Sequence, residues 1–302
     1  LNVYFKCLIL NVITDVIKSH NRVPFSRDMI TYDYDMTDIS NICFTSYSTQ
    51  SIMLLIRKIK SISGRSPHGS ERKAVRMLKA VVGINWGDEG KGRIVDLMSA
   101  KANYVVRYQG GNNAGHTVVT QEGKYVLNLL PSGILHPDVV CVLGNGMVID
   151  LDHLRHEISI MQQMNVKITP DNLKISDKAT ICMPMHVRQD VLEEERLSQS
   201  GSAYGSTRRG IAYAYGDKYM KKTLRIGDLL NIDQPSVRHR LSVIVESKNL
   251  ILENIYHQPP VSYDELLEWC KTQAHMFKDY ICDTSALLRN AAKDKKNILF
   301  EA

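Results

Sequence analysis

Short apolar runs alternate with amphipathic stretches along most of the chain, beginning at residue 80. Runs rich in Val, Leu and Ile predict buried strands, whereas apolar positions that recur every three or four residues predict helices. The predicted strands are 80–84, 102–109, 124–131, 138–146 and 297–300; the predicted helices are 90–100, 150–165, 186–199 and further helices within 262–296. Strands that alternate with helices predict an α/β fold with a mostly parallel central sheet flanked by helices. We expect Asp150 or Asp152 to cap the helix at 150–165.

Residues 1–76 lack this regularity. They are rich in Ser, Thr, Ile and Asn, show no sustained period, and contain the linker-like stretch "SISGRSPHGS" at 61–70. Met77 stands three residues before the first predicted strand. We therefore expect residues 1–76 to be an appended or mistranslated, poorly ordered extension, and residues 77–302 to form the catalytic fold.

Composition and charge narrow the class of protein. Of 302 residues, 44% are hydrophobic and 23% charged, which is typical of a soluble globular protein. No apolar run reaches the roughly 18 residues of a membrane span, so we expect no membrane partner. The six cysteines show no metal-ligand spacing, which favours reduced thiols and a cytoplasmic location. Residues 54–80 carry eight Lys or Arg against one acid; a solvated basic segment is the favoured interpretation, and nucleic-acid or membrane binding is the alternative.

The first candidate functional segment is the glycine-rich loop between the first predicted strand and the first predicted helix. Residues 83–92 follow the spacing G-x6-G-K-G, whereas phosphate-binding loops follow G-x4-G-K-[ST]. A strand, inward-turned amides, a helix N-terminus and Lys91 suit a nucleotide phosphate, so we expect a P-loop-like architecture. Gly92 replaces the hydroxyl residue that would hold Mg²⁺, which leaves Asp88 as the nearest hard-oxygen ligand. The alternative is an ordinary glycine turn with a surface Asp and Lys.

Two further segments are candidates for contact with the same ligand. The stretch "QGGNNAGHT" at 109–117 forms a turn after the second predicted strand, and its His116 could stabilise developing charge or be an ordinary loop histidine. Because both glycine-rich turns follow strands of one parallel sheet, we expect them at the same edge. The segment 205–229 could clasp a phosphate monoester or be a solvated basic loop. Its candidate residues are Thr207, Arg208, Arg209, Lys218, Lys221, Lys222 and Arg225.

Six motifs occur in the order found in one enzyme family. They are "WGDEGKGRIVD" (86–96), "GGNNAGHT" (110–117), "LPSGIL" (130–135), "GNGMVID" (144–150), "GSTRRGIA-x-x-Y-x-DK" (205–218) and "CDTSALL" (282–288). From residue 77 to residue 302 the chain resembles the adenylosuccinate synthetases. The resemblance implies a GTP-dependent ligase that forms a C–N bond between IMP and L-aspartate, gives adenylosuccinate, and releases GDP and phosphate. It also implies a homodimer that uses Mg²⁺.

The resemblance implies roles for individual residues as well. Asp88 would take the N1 proton of IMP, so that O6 attacks the γ-phosphate of GTP and forms 6-phosphoryl-IMP. His116 and Lys91 would act at the transferring phosphoryl group, and Asp88 with the Gly115 carbonyl would hold Mg²⁺. The implied GTP contacts are Gly87, Asp88, Glu89, Gly90, Lys91, Gly92, Arg93, Gly115, His116 and Thr117. The implied IMP contacts are Asn113, Ala114 and Thr207, with Lys221 reaching the IMP bound to the other subunit.

The chain departs from the family pattern at single positions and at its end. Asn85 stands in place of Gln, Arg93 in place of Lys, Arg208 at a glycine position, Tyr213 at a proline position and Lys221 in place of Arg. Segments that would bind aspartate and the guanine base lie beyond residue 302, so we expect an incomplete form that does not finish the reaction. The alternatives are a non-catalytic nucleotide- or IMP-binding fragment and a generic P-loop GTPase.

Overall fold

The computed structural model describes residues 78–82, 91–119 and 123–302; for residues 91–93 and 119 it describes the backbone alone. The strands are β1 (Leu78–Val81), β2 (Tyr104–Gly110), β3 (His116–Val119), β4 (Lys124–Leu127), β5 (Val140–Ile149), β6 (Leu173–Ser176), β7 (Thr180–Ile181), β8 (Ile281–Cys282) and β9 (Ile298–Glu301). The α-helices are α1 (Lys91–Ser99), α2 (Leu151–Gln163), α3 (Pro184–Gln199), α4 (Ile211–Met220), α5 (Pro235–Asn254), α6 (Tyr263–Phe277) and α7 (Thr284–Lys293). Short 3₁₀ helices span Ser132–Leu135 and Ile226–Asn231.

A parallel sheet organises the described residues. Its strand order is β1-β9-β2-β5-β6-β8, with β7 paired to β5, and every one of these pairings is parallel. β3 and β4 form a separate antiparallel hairpin. Central strands β2 and β5 are apolar and fully buried at positions such as Val105, Cys141 and Leu143, as strands covered on both faces must be. The predicted α/β fold with a mostly parallel sheet is confirmed.

Helix α2 shows how the sequence pattern builds the core. Its buried residues Leu151, Leu154, Ile158 and Met161 recur every three or four positions, so one face of the helix packs inward. Asp150 caps the helix by accepting a hydrogen bond from the backbone amide of His153 at 3.0 Å. Of the two predicted capping residues, Asp150 is therefore the cap.

The structure corrects two predicted elements. The strand predicted at 124–131 ends at Leu127 and belongs to the hairpin, because the backbone amides of residues 128–130 turn to a buried carboxylate instead of another strand. The region 262–296 is not helical throughout, because β8 interrupts it and pairs with β6.

Helix α5 was not predicted by the sequence pattern. Its buried residues Val237, Leu241, Ile244, Val245 and Leu252 share their face with Lys248, and this charge breaks the apolar stripe. None of the helices in the described ranges is long and apolar enough to cross a membrane. The expectation for residues 1–76 falls outside the described residues.

Candidate nucleotide-binding site

The carboxyl ends of β1, β9 and β2 lie side by side at one edge of the sheet. Val81 is in register with Glu301, and Glu301 with Arg107. In the sequence, β1 is followed by residues 83–90, which lie outside the described residues. This range includes Gly87, Asp88, Glu89 and Gly90. α1 begins at Lys91, so Lys91, Gly92 and Arg93 form its first turn. This strand, connection and helix match the order that a phosphate-binding loop requires.

β2 runs directly into the loop at 111–115, whose backbone is held from two sides. The guanidinium Nη2 of Arg107 donates to the carbonyl of Gly111 at 3.0 Å. The side-chain amide of Asn128 donates to the carbonyl of Ala114 at 3.1 Å. The residues between these contacts, Asn113 to Gly115, are exposed. The predicted ligand contacts are therefore presented on a fixed backbone. His116 itself is the first residue of β3 and not part of the turn.

Arg107 is a buried cation beneath this loop. Burial lowers the pKa of Arg107, whereas the nearby carboxylates of Glu301 and Glu157 raise it. Burial also raises the pKa of Glu301 to about 7, against the opposing effects of Arg107 and the Ser132 amide. Arg107 also donates through Nη1 to the carbonyl of Asn128. The guanidinium thus joins β2, the 111–115 loop and residue 128 in one buried polar cluster.

Glu157 of α2 holds the segment that follows the hairpin. Its carboxylate accepts from the backbone amides of Asn128 at 2.7 Å, Leu129 at 2.9 Å and Leu130 at 3.2 Å. The side chain of Asn128 also lies 3.2 Å from Nε2 of His153. Since three amides satisfy this buried carboxylate, Asn128 is fixed where it can hold the 111–115 loop.

Two buried carboxylates of α3 hold the loop at 205–210. Asp190 accepts from the Ser206 hydroxyl at 2.6 Å and from the Gly210 amide at 2.8 Å. Glu194 accepts from the amides of Gly205 at 2.7 Å and Ser206 at 3.2 Å. Thr207, Arg208 and Arg209 are exposed in this loop.

The loops at 111–115 and 205–210 meet where α4 begins. A Cβ added at Gly111 would lie 2.6 Å from Cδ1 of Ile211 and 2.9 Å from the Val148 carbonyl oxygen, so the Gly111 backbone packs directly against the Ile211 side chain at the start of α4. The hydroxyl of Tyr215 accepts from the amide of Gly110 at 2.8 Å. The structure therefore brings the segment of Asn113 and Ala114 together with the segment of Thr207.

Lys218 and Lys221 lie further along α4 and differ in their surroundings. Lys218 donates to the carbonyl of Gly146 at 2.9 Å, and its Nζ lies 5.3 Å from the centroid of the Tyr215 ring. Its ammonium is therefore already bound within the protein. Lys221 is exposed at the C-terminal cap of this 10-residue helix, about 15 Å from its start, so it is not brought beside Thr207.

A buried ionic cluster joins α3, α4 and α5 behind the site. Nε2 of His186 lies 3.0 Å from Oδ2 of Asp217, and Nζ of Lys248 lies 2.8 Å from the same oxygen. Nδ1 of His186 accepts from the backbone amide of Met183 at 2.9 Å, which leaves Nε2 to carry the proton donated to Asp217. Burial lowers the pKa of His186, and Lys248 lowers it further against the effect of Asp217. This cluster fixes α3, which carries Asp190 and Glu194, against α4.

The sequence pattern did not predict which residues hold the two loops. They are Arg107, Asn128, Asp150, Glu157, Asp190, Glu194 and Tyr215. Asp150 was predicted only as a helix cap, and it also accepts from the side-chain amide of Asn112 at 3.1 Å. Tyr215 lies in one of the six motifs without a predicted role. One signal was available, because Arg107 interrupts an otherwise apolar central strand, where a charge must be paired. In the described part of the chain, no group of three or more His, Cys, Asp or Glu side chains could hold a metal ion.

Comparison with known proteins shows which protein family this chain resembles. The family model for adenylosuccinate synthetase matches residues 80–302. The adenylosuccinate synthetase of Brachyspira hyodysenteriae is 47% identical over 221 residues, which cover 73% of this chain and 50% of the relative. That of Caldanaerobacter subterraneus subsp. tengcongensis is 43% identical over 221 residues, covering 73% and 51%. This chain spans about half the length of these curated relatives.

A solved structure agrees with the sequence comparison. The structure of a fully ligated adenylosuccinate synthetase from Plasmodium falciparum matches with a TM-score of 0.64 at 31% sequence identity. The match covers 73% of this chain and 50% of that chain. The family match over 80–302 includes both held loops and the strand that leads to residues 83–90. The chain belongs to the adenylosuccinate synthetase family.

Proposed function

We propose that this chain provides the nucleotide-binding part of a GTP-dependent ligase that joins IMP and L-aspartate to form adenylosuccinate, a step of AMP biosynthesis. One observation carries the proposal: the loop at 111–115 and the start of α4, which follows the loop at 205–210, are joined beside the carboxyl end of β2 through Ile211 and Tyr215. Two candidate ligand-binding segments that are distant in the sequence are therefore joined, which supports a shared site. The carboxyl ends of the strands are where parallel α/β sheets bind nucleotides.

IMP would lie against the two held loops. Asn113 and Ala114 supply an amide side chain and backbone groups, and Thr207 supplies a hydroxyl, all in exposed positions. Their backbones are anchored to buried side chains, which suits precise orientation of a substrate.

GTP would lie on the first turn of α1. Residues 87–93 would contribute backbone amides and the Lys91 ammonium to the phosphates, and the helix N-terminus favours their negative charge. His116 and Thr117 begin β3 directly after the 111–115 loop, which supports a position beside the transferring phosphoryl group.

The reaction would proceed in two displacements. Asp88 removes the N1 proton of IMP, O6 forms a bond to the γ-phosphorus, and the bond from that phosphorus to the β-phosphate oxygen breaks to release GDP. The amine of aspartate then attacks C6, the C6–O6 bond breaks, and phosphate departs with the original O6. His116 would donate to the phosphoryl oxygens as charge develops there, which is how positioned donors accelerate phosphoryl transfer.

Mg²⁺ would be held by the Asp88 carboxylate and the Gly115 carbonyl. Both are hard-oxygen donors, and Gly115 is exposed in the 111–115 loop, so the described donor fits this ion. The bound ion would neutralise phosphate charge.

We also propose that the protein is a homodimer and is located in the cytoplasm. Lys221 lies at the exposed end of α4, away from Thr207, which supports a contact with IMP bound to a second subunit. Tyr219 and Met220 beside it are 70% and 58% exposed, and large exposed apolar side chains are typical of contact surfaces.

An assay with each substrate omitted in turn tests the proposal. In an assay of the whole ligase, we expect phosphate and adenylosuccinate to appear only when GTP, IMP, L-aspartate and Mg²⁺ are all present, and Asp88→Ala to abolish both products. Asp171→Ala, an exposed carboxylate in the turn before β6, is the matched control and should retain activity. Phosphate release without IMP would indicate a GTPase instead. IMP binding without any product would indicate a binding fragment.

A further inference from the structure

Arg208 has an unusual backbone conformation. Its φ is +56°, in the left-handed region that residues with a side chain rarely adopt. Glycine meets no such restriction, so an arginine here is unfavourable for folding by itself. A residue held in this region without benefit to the fold is a candidate for function.

The surrounding contacts impose this conformation. Asp190, 4% exposed, and Glu194, 5% exposed, bind the loop on both sides of Arg208 through Gly205, Ser206 and Gly210. The amide of Arg208 itself donates to the Ser206 hydroxyl at 3.1 Å. These contacts fix the loop backbone, and they therefore also fix the direction of the Cα–Cβ bond of Arg208.

The guanidinium of Arg208 is left for a ligand. The side chain is exposed, and within the described ranges it forms neither an ion pair nor a hydrogen bond. Both oxygens of Asp190 and Oε1 of Glu194 accept hydrogen bonds from the loop, and neither carboxylate forms an ion pair with Arg208. An unpaired cation thus stands directly beside Thr207.

The charge around this loop favours an anion. Arg209, the next residue of the segment 205–229, is also an exposed cation. The acids of this segment are engaged internally: Asp217 by His186 and Lys248, and Asp228 by Arg240 and the Arg225 amide. A doubly charged ligand would therefore meet a positive surface with few competing carboxylates.

We propose that Arg208 binds the phosphate monoester of the nucleotide substrate, as a specificity-determining contact in addition to Thr207. The inference rests on the proposed function, since it takes IMP as that nucleotide. A guanidinium matches a phosphate with two parallel hydrogen bonds, which an ammonium such as that of Lys221 cannot do. A ligand contact made by the side chain would offset the cost of this backbone conformation.

Binding of IMP and of inosine, which lacks the phosphate, tests the proposal by calorimetry on the full chain. Arg208→Gly should weaken IMP binding about 10-fold, the scale of one charge-assisted contact, and leave inosine binding unchanged. Arg208→Lys should retain part of the affinity. The thermal midpoint of Arg208→Gly should be no lower than that of the wild type, because glycine accepts the left-handed conformation.

Lys295→Gly is the matched control. Lys295 is also an exposed cation with φ +58°, but it lies in the turn between α7 and β9. Its variant should likewise keep the thermal midpoint and should bind IMP as the wild type does. Unchanged IMP affinity in Arg208→Gly would overturn the proposal, as would an equal loss of inosine binding. A wild-type chain that binds neither IMP nor inosine would overturn the proposed function itself, and this inference with it.

Discussion

The hydroxyl of Tyr215 accepts a hydrogen bond from the backbone amide of Gly110 at 2.8 Å. The same hydroxyl donates to the carbonyl of Gly146 at 3.0 Å. Tyr215 lies on α4, directly after the 205–210 loop, whereas Gly110 ends β2 and Gly146 lies within β5. One phenol thus fixes α4, which follows the 205–210 loop, to β5 and to the end of β2, which leads into the 111–115 loop.

Replacing Tyr215 with Phe removes both hydrogen bonds and leaves the Gly110 amide without this acceptor, whereas the Gly146 carbonyl keeps the hydrogen bond from Lys218. We expect the free energy of unfolding to fall by about 1–3 kcal/mol, measured by urea denaturation. Tyr219→Phe is the matched control, because Tyr219 is 70% exposed on the same helix. Equal effects of the two substitutions would contradict the assigned role of Tyr215.

Asp190→Ala should release the loop at 205–210. The substitution leaves the Gly210 amide and the Ser206 hydroxyl without their acceptor, at a cost of about 2 kcal/mol or more. Since the loop then moves more freely, trypsin should cut after Arg208 and Arg209 faster than in the wild type. Glu195→Ala, an exposed carboxylate of the same helix, should leave the cleavage rate unchanged. Cleavage at the wild-type rate in Asp190→Ala would show that Asp190 does not hold the loop.

His186 should make the fold sensitive to mild acid. Burial, aided by Lys248, holds the pKa of His186 below its ordinary value of 6.5. Protonation then favours the unfolded chain, so stability is complete above about pH 6.5 and declines as the pH falls towards the folded-state pKa. Burial opposes ionisation of Asp217, but hydrogen bonds from His186 and Lys248 lower its pKa below 3.8, so its contribution is lost only in stronger acid. Thermal midpoints measured from pH 7.5 to 5 should fall in the wild type and fall less in His186→Gln. Parallel curves for the two proteins would exclude His186 as the titrating group.

His116→Asn should impair chemistry more than binding. The imidazole would act on charge that develops during phosphoryl transfer, so its loss should lower kcat by about 10²–10³ while KM for IMP changes little. His156→Asn is the control, because His156 is an exposed histidine of α2. A rise in KM with kcat unchanged would assign His116 to ground-state binding instead.

The local pattern of apolar and polar residues predicted many of the strands and helices correctly. The returning strand predicted at 297–300 is β9, and the helix predicted at 150–165 is α2, because each carries a clear period and a clear boundary. α5 was missed because its buried face includes Lys248, whose ammonium is satisfied by Asp217 and Gln189 from other helices. A charge that is paired only in the tertiary structure looks like a break in the pattern.

Only part of the candidate site was predictable, because local motifs include its exposed residues but do not reveal the residues that hold them. The exposed residues of the 111–115 and 205–210 loops stand within recognisable motifs, and the structure brings their segments together. The residues that hold these loops are far from them in the sequence, so no local pattern marks them. The carboxylate of Glu157 accepts from the amides of residues 128–130, about 30 positions away, and the hydroxyl of Tyr215 accepts from the amide of Gly110 across 105 positions. The residues 83–90, which include Asp88, lie outside the described residues, so their assignment stays a prediction.

In the proposed reaction, O6 of IMP is phosphorylated before aspartate displaces it. An assay of the whole ligase with IMP labelled with ¹⁸O at O6, GTP, L-aspartate and Mg²⁺ tests this order, and the released phosphate is analysed by mass spectrometry. Each phosphate released with adenylosuccinate should carry the label, because the C6–O6 bond breaks and the P–O6 bond persists. Unlabelled phosphate that takes its new oxygen from water would exclude this order of steps and would indicate hydrolysis of GTP.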